Sequence, residues 1–400
     1  MSLKLAMNDT SYQRINISKA GQHMTPNFRI NKYLKYVVVL ILFMLHNYYP
    51  GNGDIFDGWL KYGKDSATSL SSVASRDYVN KREGEYYNDF SSNNHTEKIE
   101  KACFQCIDNN IKDLKPIPMN GEPEIALFWA ISKSGTSSVK AILNRCLDLR
   151  MAGSTALIDY EENPNELELI DLSASGHIGR FVNIDFGYLS GLQLAKDLRM
   201  ADSGLIDVAV TGYLHEAAQI FTPQNPVRLF TIMRHPVERM LSAYYYSKIS
   251  LWEKTYDENR PNLTLLEFTT EKKYYVDNWV TRMLSGSRKG YPVTNDDYEY
   301  AKSFLKEKCL IMLLDQFDES IDRLLDFMGW TIKTPDCVTA FTHKTPSNAN
   351  PHQDLSRRSK EWKAMMKKNS YDVKLYYFAI KLFKGEQKKL VRLSKENNDG

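Results

Sequence analysis

The sequence predicts an α/β domain, a central parallel sheet of about five strands flanked by helices, carried behind a single N-terminal transmembrane helix and a stem. Three observations predict it. From Glu122 onward, short unbroken apolar runs alternate with helically periodic segments, as parallel strands joined by crossover helices do. The stretch Tyr33–Tyr49 runs 17 residues with Lys35 as its one charge. Between the two lies a segment without sustained apolar periodicity. A composition of 42% apolar and 25% charged residues excludes a wholly disordered chain, a collagen-like repeat and a multi-span membrane protein.

The N-terminal span rests on its flanks. Tyr36–Leu45 reads YVVVLILFML, too short alone for the about 20 residues that cross a bilayer. Lys35 snorkels at one end, and Tyr33, Tyr36, Tyr48 and Tyr49 occupy interfacial positions. A helix over 33–49 rises roughly 25 Å, suited to a thin early-secretory membrane. Residues 1–35 carry six basic side chains against Asp9, so the positive-inside bias places residues 1–32 in the cytoplasm and the rest in a lumen. A cleaved signal peptide and a buried soluble segment are the alternatives. Against the first, the n-region is long and no A-x-A site follows Leu45. With 52 Lys and Arg against 49 Asp and Glu, the chain is not a strongly basic nucleic-acid binder.

Lumenal topology makes Asn94 and Asn262 glycosylation candidates and leaves the Asn8 and Asn16 sequons bare. Five cysteines are too few for a disulfide scaffold, and their odd number leaves at least one unpaired within the chain. Cys103 and Cys106 form a CxxC without a second pair, which favours a local disulfide or plain thiols over zinc. Residues 50–120, including SATSLSSVAS, read as a stem. Residues 121–390 read as the folded domain and 391–400 as a tail.

Within the domain, Ile125–Ile131 (IALFWAI), Val208–Tyr213, Val227–Met233 and Cys309–Leu314 read as buried strands. Helical periodicity follows the first through Val139, Ile142, Leu143 and Leu147. Pro236 suits the first turn of a helix through Met240, Leu241, Tyr244 and Tyr245. Leu265–Leu284 reads as one or two helices, and Glu319–Met328 and Tyr371–Phe383 as one each.

Two constellations carry chemistry. In the first, the strand ends in a Gly-bearing turn and a helix start, SKSGTSS, which aims backbone N–H groups and the helix dipole at one point, a site for phosphate. Lys133 adds a charge, and Ser134, Thr136, Ser137 and Ser138 add hydroxyls around Gly135. The loop makes the sheet P-loop-like, yet G-x-x-x-x-G-K-[ST] is absent. A Ser-rich turn with an incidental lysine is the alternative. In the second, Arg234 ends a strand and Ser242 lies eight residues on in the following helix. An arginine at the carboxyl end of a parallel strand points into the ligand crevice of α/β proteins, and its fork matches a phosphate monoester. Pairing with Glu238 is the plainer alternative.

Together these blocks resemble the Golgi membrane-bound carbohydrate sulfotransferases, including the heparan and uronyl 2-O-sulfotransferase type. SKSGTSS resembles their 5′-phosphosulfate loop, and TIMRHPVERMLSAYYY their 3′-phosphate segment. DNWVTRMLSG, LLDQFDESIDRLL and YDVKLYYFAIKLF resemble later blocks in the same order. The resemblance covers roughly residues 122–385. It implies a sulfuryl transfer from 3′-phosphoadenosine 5′-phosphosulfate (PAPS) to a glycan or glycoconjugate hydroxyl in the Golgi lumen, with no metal. It implies that Lys133 acts on the leaving oxygen, that Ser134–Ser138 hold the 5′-phosphate and that Arg234 and Ser242 hold the 3′-phosphate. Arg282 is a further cofactor candidate.

Where the 2-O-sulfotransferases carry His-Gly-His, this chain has Thr211-Gly212-Tyr213-Leu214-His215. His215 is the candidate base, with His177 and Glu216 behind it, while His235 reads as a helix cap. The basic excess between Arg357 and Lys395 reads as a solvated helix face or as a track for an anionic acceptor. The other readings are a non-catalytic glycan- or nucleotide-binding protein of the same fold, and a P-loop-type kinase, which lacks its Walker lysine here.

Overall fold

The computed structural model describes residues 107–116, 124–153, 165–171, 179–249, 262–271, 274–287, 291–332, 335–341 and 354–399, all within the compact unit Arg82–Gly400. The expected span 33–49, most of the stem, Asn94, the CxxC pair and His177 lie outside them. Among the described residues no helix is long and apolar enough to cross a membrane.

The chain order begins β1 (Ala126–Trp129), α1 (Thr136–Ala141), a π-helical turn (Ile142–Cys146), β2 (Arg150–Ala152), β3 (Leu169–Asp171) and β4 (Arg180–Val182). Next come α2 (Leu189–Asp197), β5 (Val208–Thr211), α3 (Leu214–Ala218), β6 (Arg228–Met233), α4 (Pro236–Ile249), α5 (Leu265–Thr270), α6 (Trp279–Ser285) and α7 (Asn295–Lys308). The last elements are β7 (Cys309–Leu313), α8 (Phe317–Met328), α9 (Pro335–Thr339), α10 (Lys360–Lys368), α11 (Ser370–Lys384) and α12 (Glu386–Asp399). The strands form one seven-stranded sheet in the order β3-β4-β2-β5-β1-β6-β7. All pairings are parallel except that of the edge strand β3 with β4. About five strands were expected and four were located; β2, β3 and β4 complete the seven, each three residues long and too short to leave an apolar run.

Side chains alternate between two cores. Leu127, Trp129, Leu229, Met233 and Ile311 face one, with α2, α3, α6, α7 and α11 packed over them. Ala126, Phe128, Phe230, Ile232 and Met312 face the other, beneath α1, the π turn, α8 and α12. A period of two with both sets apolar is what a sheet covered on both faces requires. The crossover from β1 toward β2 uses the second face. Those from β4 to β5, β5 to β6 and β6 to β7 run the other way across the sheet and use the first, as a single handedness of crossover demands. Val237, Met240, Leu241 and Tyr244 of α4 build a satellite cluster with Phe268 of α5 and Trp362 and Met365 of α10.

The body extends beyond the boundaries read from composition. Residues assigned to the stem belong to it: Ile107 and Ile111 are buried, and Val227 N donates to Asn110 O at 2.9 Å and Lys112 N to Val227 O at 2.9 Å. Glu124 pairs with the buried Arg228 of β6 and with Lys112 (2.6 Å), which fastens this lead-in to the sheet. At the other end the expected tail is part of α12, whose Gln387 side chain closes the open edge of β7. It accepts from Ile311 N and donates to Cys309 O, both at 2.9 Å.

Candidate functional site at the carboxyl edge of the sheet

A switch point of the sheet lies between β1 and β6. β1 sends its crossover toward β2 and its neighbour β6 sends its own toward β7, so the loops leaving these two adjacent strands part and open a crevice. The residues singled out by sequence sit in those two loops. Residues 132–135 leave β1, and Arg234 leaves β6.

The first loop is tightly constrained. Lys133 (φ 64°) and Gly135 (φ 85°) are both left-handed, around Ser134, which is fully buried with its Oγ lacking a hydrogen-bond partner. Non-glycine residues hold such a backbone at a cost, and strain of this kind concentrates at ligand sites. Gly135 is needed twice over, because a Cβ there would lie 2.6 Å from Leu314 Cδ1 as well as requiring positive φ. The chain then enters α1, where Ser138 and Val139 donate to Gly135 O at 3.2 and 3.3 Å, and runs without a break into the π turn. The opening N–H groups of such a helix have no partner within it. The Lys133 ammonium rests on the Tyr246 ring of α4, 2.8 Å from its centroid.

Arg234 meets this loop. Its Nη1 donates to Lys133 O at 3.4 Å, and its Nη2 lies 3.8 Å from Glu238. Both contacts are long, and a guanidinium has five donors, so the fork retains capacity for an anion. Burial pushes Arg234 down from its ordinary value, while Glu238, Asp315 and Tyr376 oppose it; an arginine in such surroundings stays cationic. Ser242 is half-buried on α4, one turn beyond Glu238 and on the same side of that helix. Asp315, just past β7, accepts from Tyr376 Oη of α11 at 2.8 Å. His235 caps α4 by accepting from Val237 N at 3.3 Å and stacks on Trp362, 5.5 Å between centroids. Burial pushes its pKa down; Asp315 opposes the shift and Arg357 adds to it.

The other expected residues stand apart. Arg282 of α6 is buried and committed to Asp277, donating at 3.0 and 2.8 Å to its carboxylate and at 2.9 Å to its carbonyl. His215 of α3 is 8% exposed, with Nε2 2.6 Å from Met283 O. A ring nitrogen on a carbonyl must carry the proton, so the lone pair is on Nδ1, which is buried. This differs from the expected base, whose lone pair has to face a substrate. Glu216 is partly exposed on the same short helix, and Asn262 is exposed. Sequence reasoning did not single out Tyr246, Asp315 or Tyr376. The run of three tyrosines after Ser242 is the one signal that pointed at the first.

Among the described residues no group of three or more His, Cys, Asp or Glu side chains is placed to hold a metal ion. Cys146 and Cys337 form a disulfide, and Cys309 is buried and unpaired. In chemical terms, the fold and site define an α/β protein in which a strained serine- and lysine-bearing loop and an arginine meet beyond two adjacent parallel strands. No family model matches the chain, and no curated protein matches it. Among solved structures the chain is similar to mouse sulfotransferase SULT7A1 complexed with PAP, with 11% identity and a TM-score of 0.33 over 71% of this chain and 86% of that one. A likeness of that size is too slight to bear on fold or function.

Proposed function

We propose that this chain is a PAPS-dependent sulfotransferase that moves a sulfuryl group to a hydroxyl of a glycan or glycoconjugate in the Golgi lumen, held by one N-terminal membrane helix. The observation that carries the reading is the meeting of the two motifs at the switch point, with Arg234 donating to Lys133 O at 3.4 Å. Residues 101 positions apart in sequence thereby flank one crevice, as binding the two ends of a bisphosphorylated nucleoside requires. The orphaned Ser134 hydroxyl and the doubly left-handed loop suit an oxyanion ligand.

Arg234 and Ser242 hold the 3′-phosphate. Residues 134–138 hold the 5′-phosphate, and Lys133 offsets the charge that grows on the bridging oxygen as it leaves. Transfer through a loose, charge-spread transition state is promoted mainly by such fixed charges and donors. The Cys146–Cys337 disulfide and exposed Asn262 accord with an oxidising, glycosylating compartment.

The test is calorimetric binding of 3′-phosphoadenosine 5′-phosphate (PAP) to the purified protein, with ATP as comparator and Arg234→Ala as control. Binding that needs the 3′-phosphate and weakens by about 10–100-fold in the variant is expected, the worth of a charged hydrogen bond of about 1.5–3 kcal/mol. Absence of binding, or a preference for ATP with magnesium, overturns the reading. The burial of His215 favours a second reading, a nucleotide-binding protein without turnover; PAPS consumption by the wild type separates the two.

A further inference from the structure

Under the sulfotransferase reading, on which this inference rests, the crevice has a direction. Arg234 at the end of β6 takes the 3′-phosphate and Lys133 beyond β1 takes the sulfuryl end, so the donor points across β1 toward β5, β2 and β4. An acceptor hydroxyl attacking in line arrives from that side. The carboxylate, imidazole and ammonium groups that sequence and fold place there, among the described residues, include His215 and Glu216 after β5, Asp185 after β4, and Lys140 on α1. His215 turns its Nε2 to Met283 O and buries its Nδ1.

Asp185 is partly exposed, and its surroundings hold it from three sides. Its Oδ1 accepts from Gly187 N at 2.7 Å. The next carbonyl, Phe186 O, accepts from the hydroxyl of Thr211, the last residue of β5, at 3.0 Å. Its own carbonyl is pressed against α2 so closely that a Cβ on Gly191 would fall 1.9 Å from it. Lys140 lies one turn beyond Thr136 on the helix that opens at the donor loop. Burial pushes the Lys140 ammonium down, and the nearby Asp185 charge opposes that shift. A carboxylate at the rim of a strand end, held by its own turn on a backbone fixed by a neighbouring strand and a glycine contact, is built as a functional group is built.

We propose that Asp185 is the general base of the transfer. The acceptor O–H proton passes to its carboxylate while the acceptor oxygen forms the new bond to sulfur. The bond from sulfur to the bridging oxygen breaks, and its electron pair stays on the 5′-phosphate of PAP. Lys140 keeps the carboxylate turned toward the loop.

PAPS turnover is measured with full-length protein, with water and with methyl glycosides of neutral and uronate sugars as acceptors, alongside PAP affinity. Asp185→Asn is expected to lower turnover by about 10²–10⁴-fold while PAP affinity changes less than about twofold. Formate is expected to restore part of the rate to Asp185→Gly, with PAP binding reporting that this variant folds. Turnover undiminished in Asp185→Asn, or lost instead in Glu216→Gln or His215→Gln, overturns the assignment and leaves the donor site standing. A wild type that binds PAP but consumes no PAPS overturns both the base and the transfer, and one that binds no PAP overturns the donor site first.

Discussion

Gly135 shows how much one residue decides. Its φ of 85° and the 2.6 Å approach of Leu314 to a would-be Cβ set the loop against the end of β7, and the loop in turn sets Lys133. Gly135→Ala brings left-handed strain of about 1–2 kcal/mol. We expect a modest loss of melting temperature, and PAP affinity lower by about tenfold if the loop moves to relieve the strain, since about 1.4 kcal/mol is a factor of ten. Unchanged affinity in a stable variant would show that the loop does not meet the ligand. The same scale explains what the residues withheld. SKSGTSS announced a turn through its glycine and serines, but nothing in a lone histidine tells whether its lone pair faces a crevice or the inside of a helix packing. His215 is decided by the Met283 carbonyl, 68 positions away.

Among elements, α6 and α11 cap each other. Asp372 of α11 accepts from Val280 N (3.0 Å), Thr281 N (2.8 Å) and Thr281 Oγ1 (2.8 Å) at the start of α6. In return Asn278, left-handed at φ 45°, accepts from Tyr371 N at 2.9 Å and Asp372 N at 3.3 Å. Asp372 is also the counter-charge to the buried Arg239, 3.6 Å away. Asp372→Ala uncaps one helix and strands a buried cation, a loss of about 3–5 kcal/mol. Chemical denaturation should show it as a lower midpoint with the slope unchanged; a midpoint within error of wild type would refute the mutual capping. Sequence periodicity found β6, α8 and α11, but not α7 or α12, each 14 residues long. It did not find β2, β3 and β4, because three residues cannot display a period. It read 265–284 as one or two helices, and the structure has two, separated before α6 begins.

For the molecule as a whole, the Cys146–Cys337 disulfide links the π turn that follows α1 to α9 across 191 positions. A cross-link over so long a loop contributes about 2–4 kcal/mol, chiefly by restricting the unfolded chain. Reduction, or Cys146→Ser, is therefore expected to lower the melting temperature by about 5–15 °C. Scanning calorimetry with and without dithiothreitol measures this, and coincident curves would contradict it. Cys309, buried with its thiol pushed up in pKa by burial, should stay unmodified by alkylating reagents in the folded protein.

By itself the sequence determined the fold class, the place of β1, β5, β6 and β7 and of α4, α8 and α11, and the two segments that meet beyond β1 and β6, because apolar periodicity and glycine-bearing turns are local properties written in adjacent residues. Tertiary structure alone decided the strand order, and with it that β1 and β6 are neighbours whose crossovers diverge. It also decided the pairing of Cys146 with Cys337, the retreat of His215 and Arg282 into packing, and the placing of Asp185 beyond the carboxyl end of β4. Each of these depends on contacts between residues far apart in the chain, which no local pattern encodes.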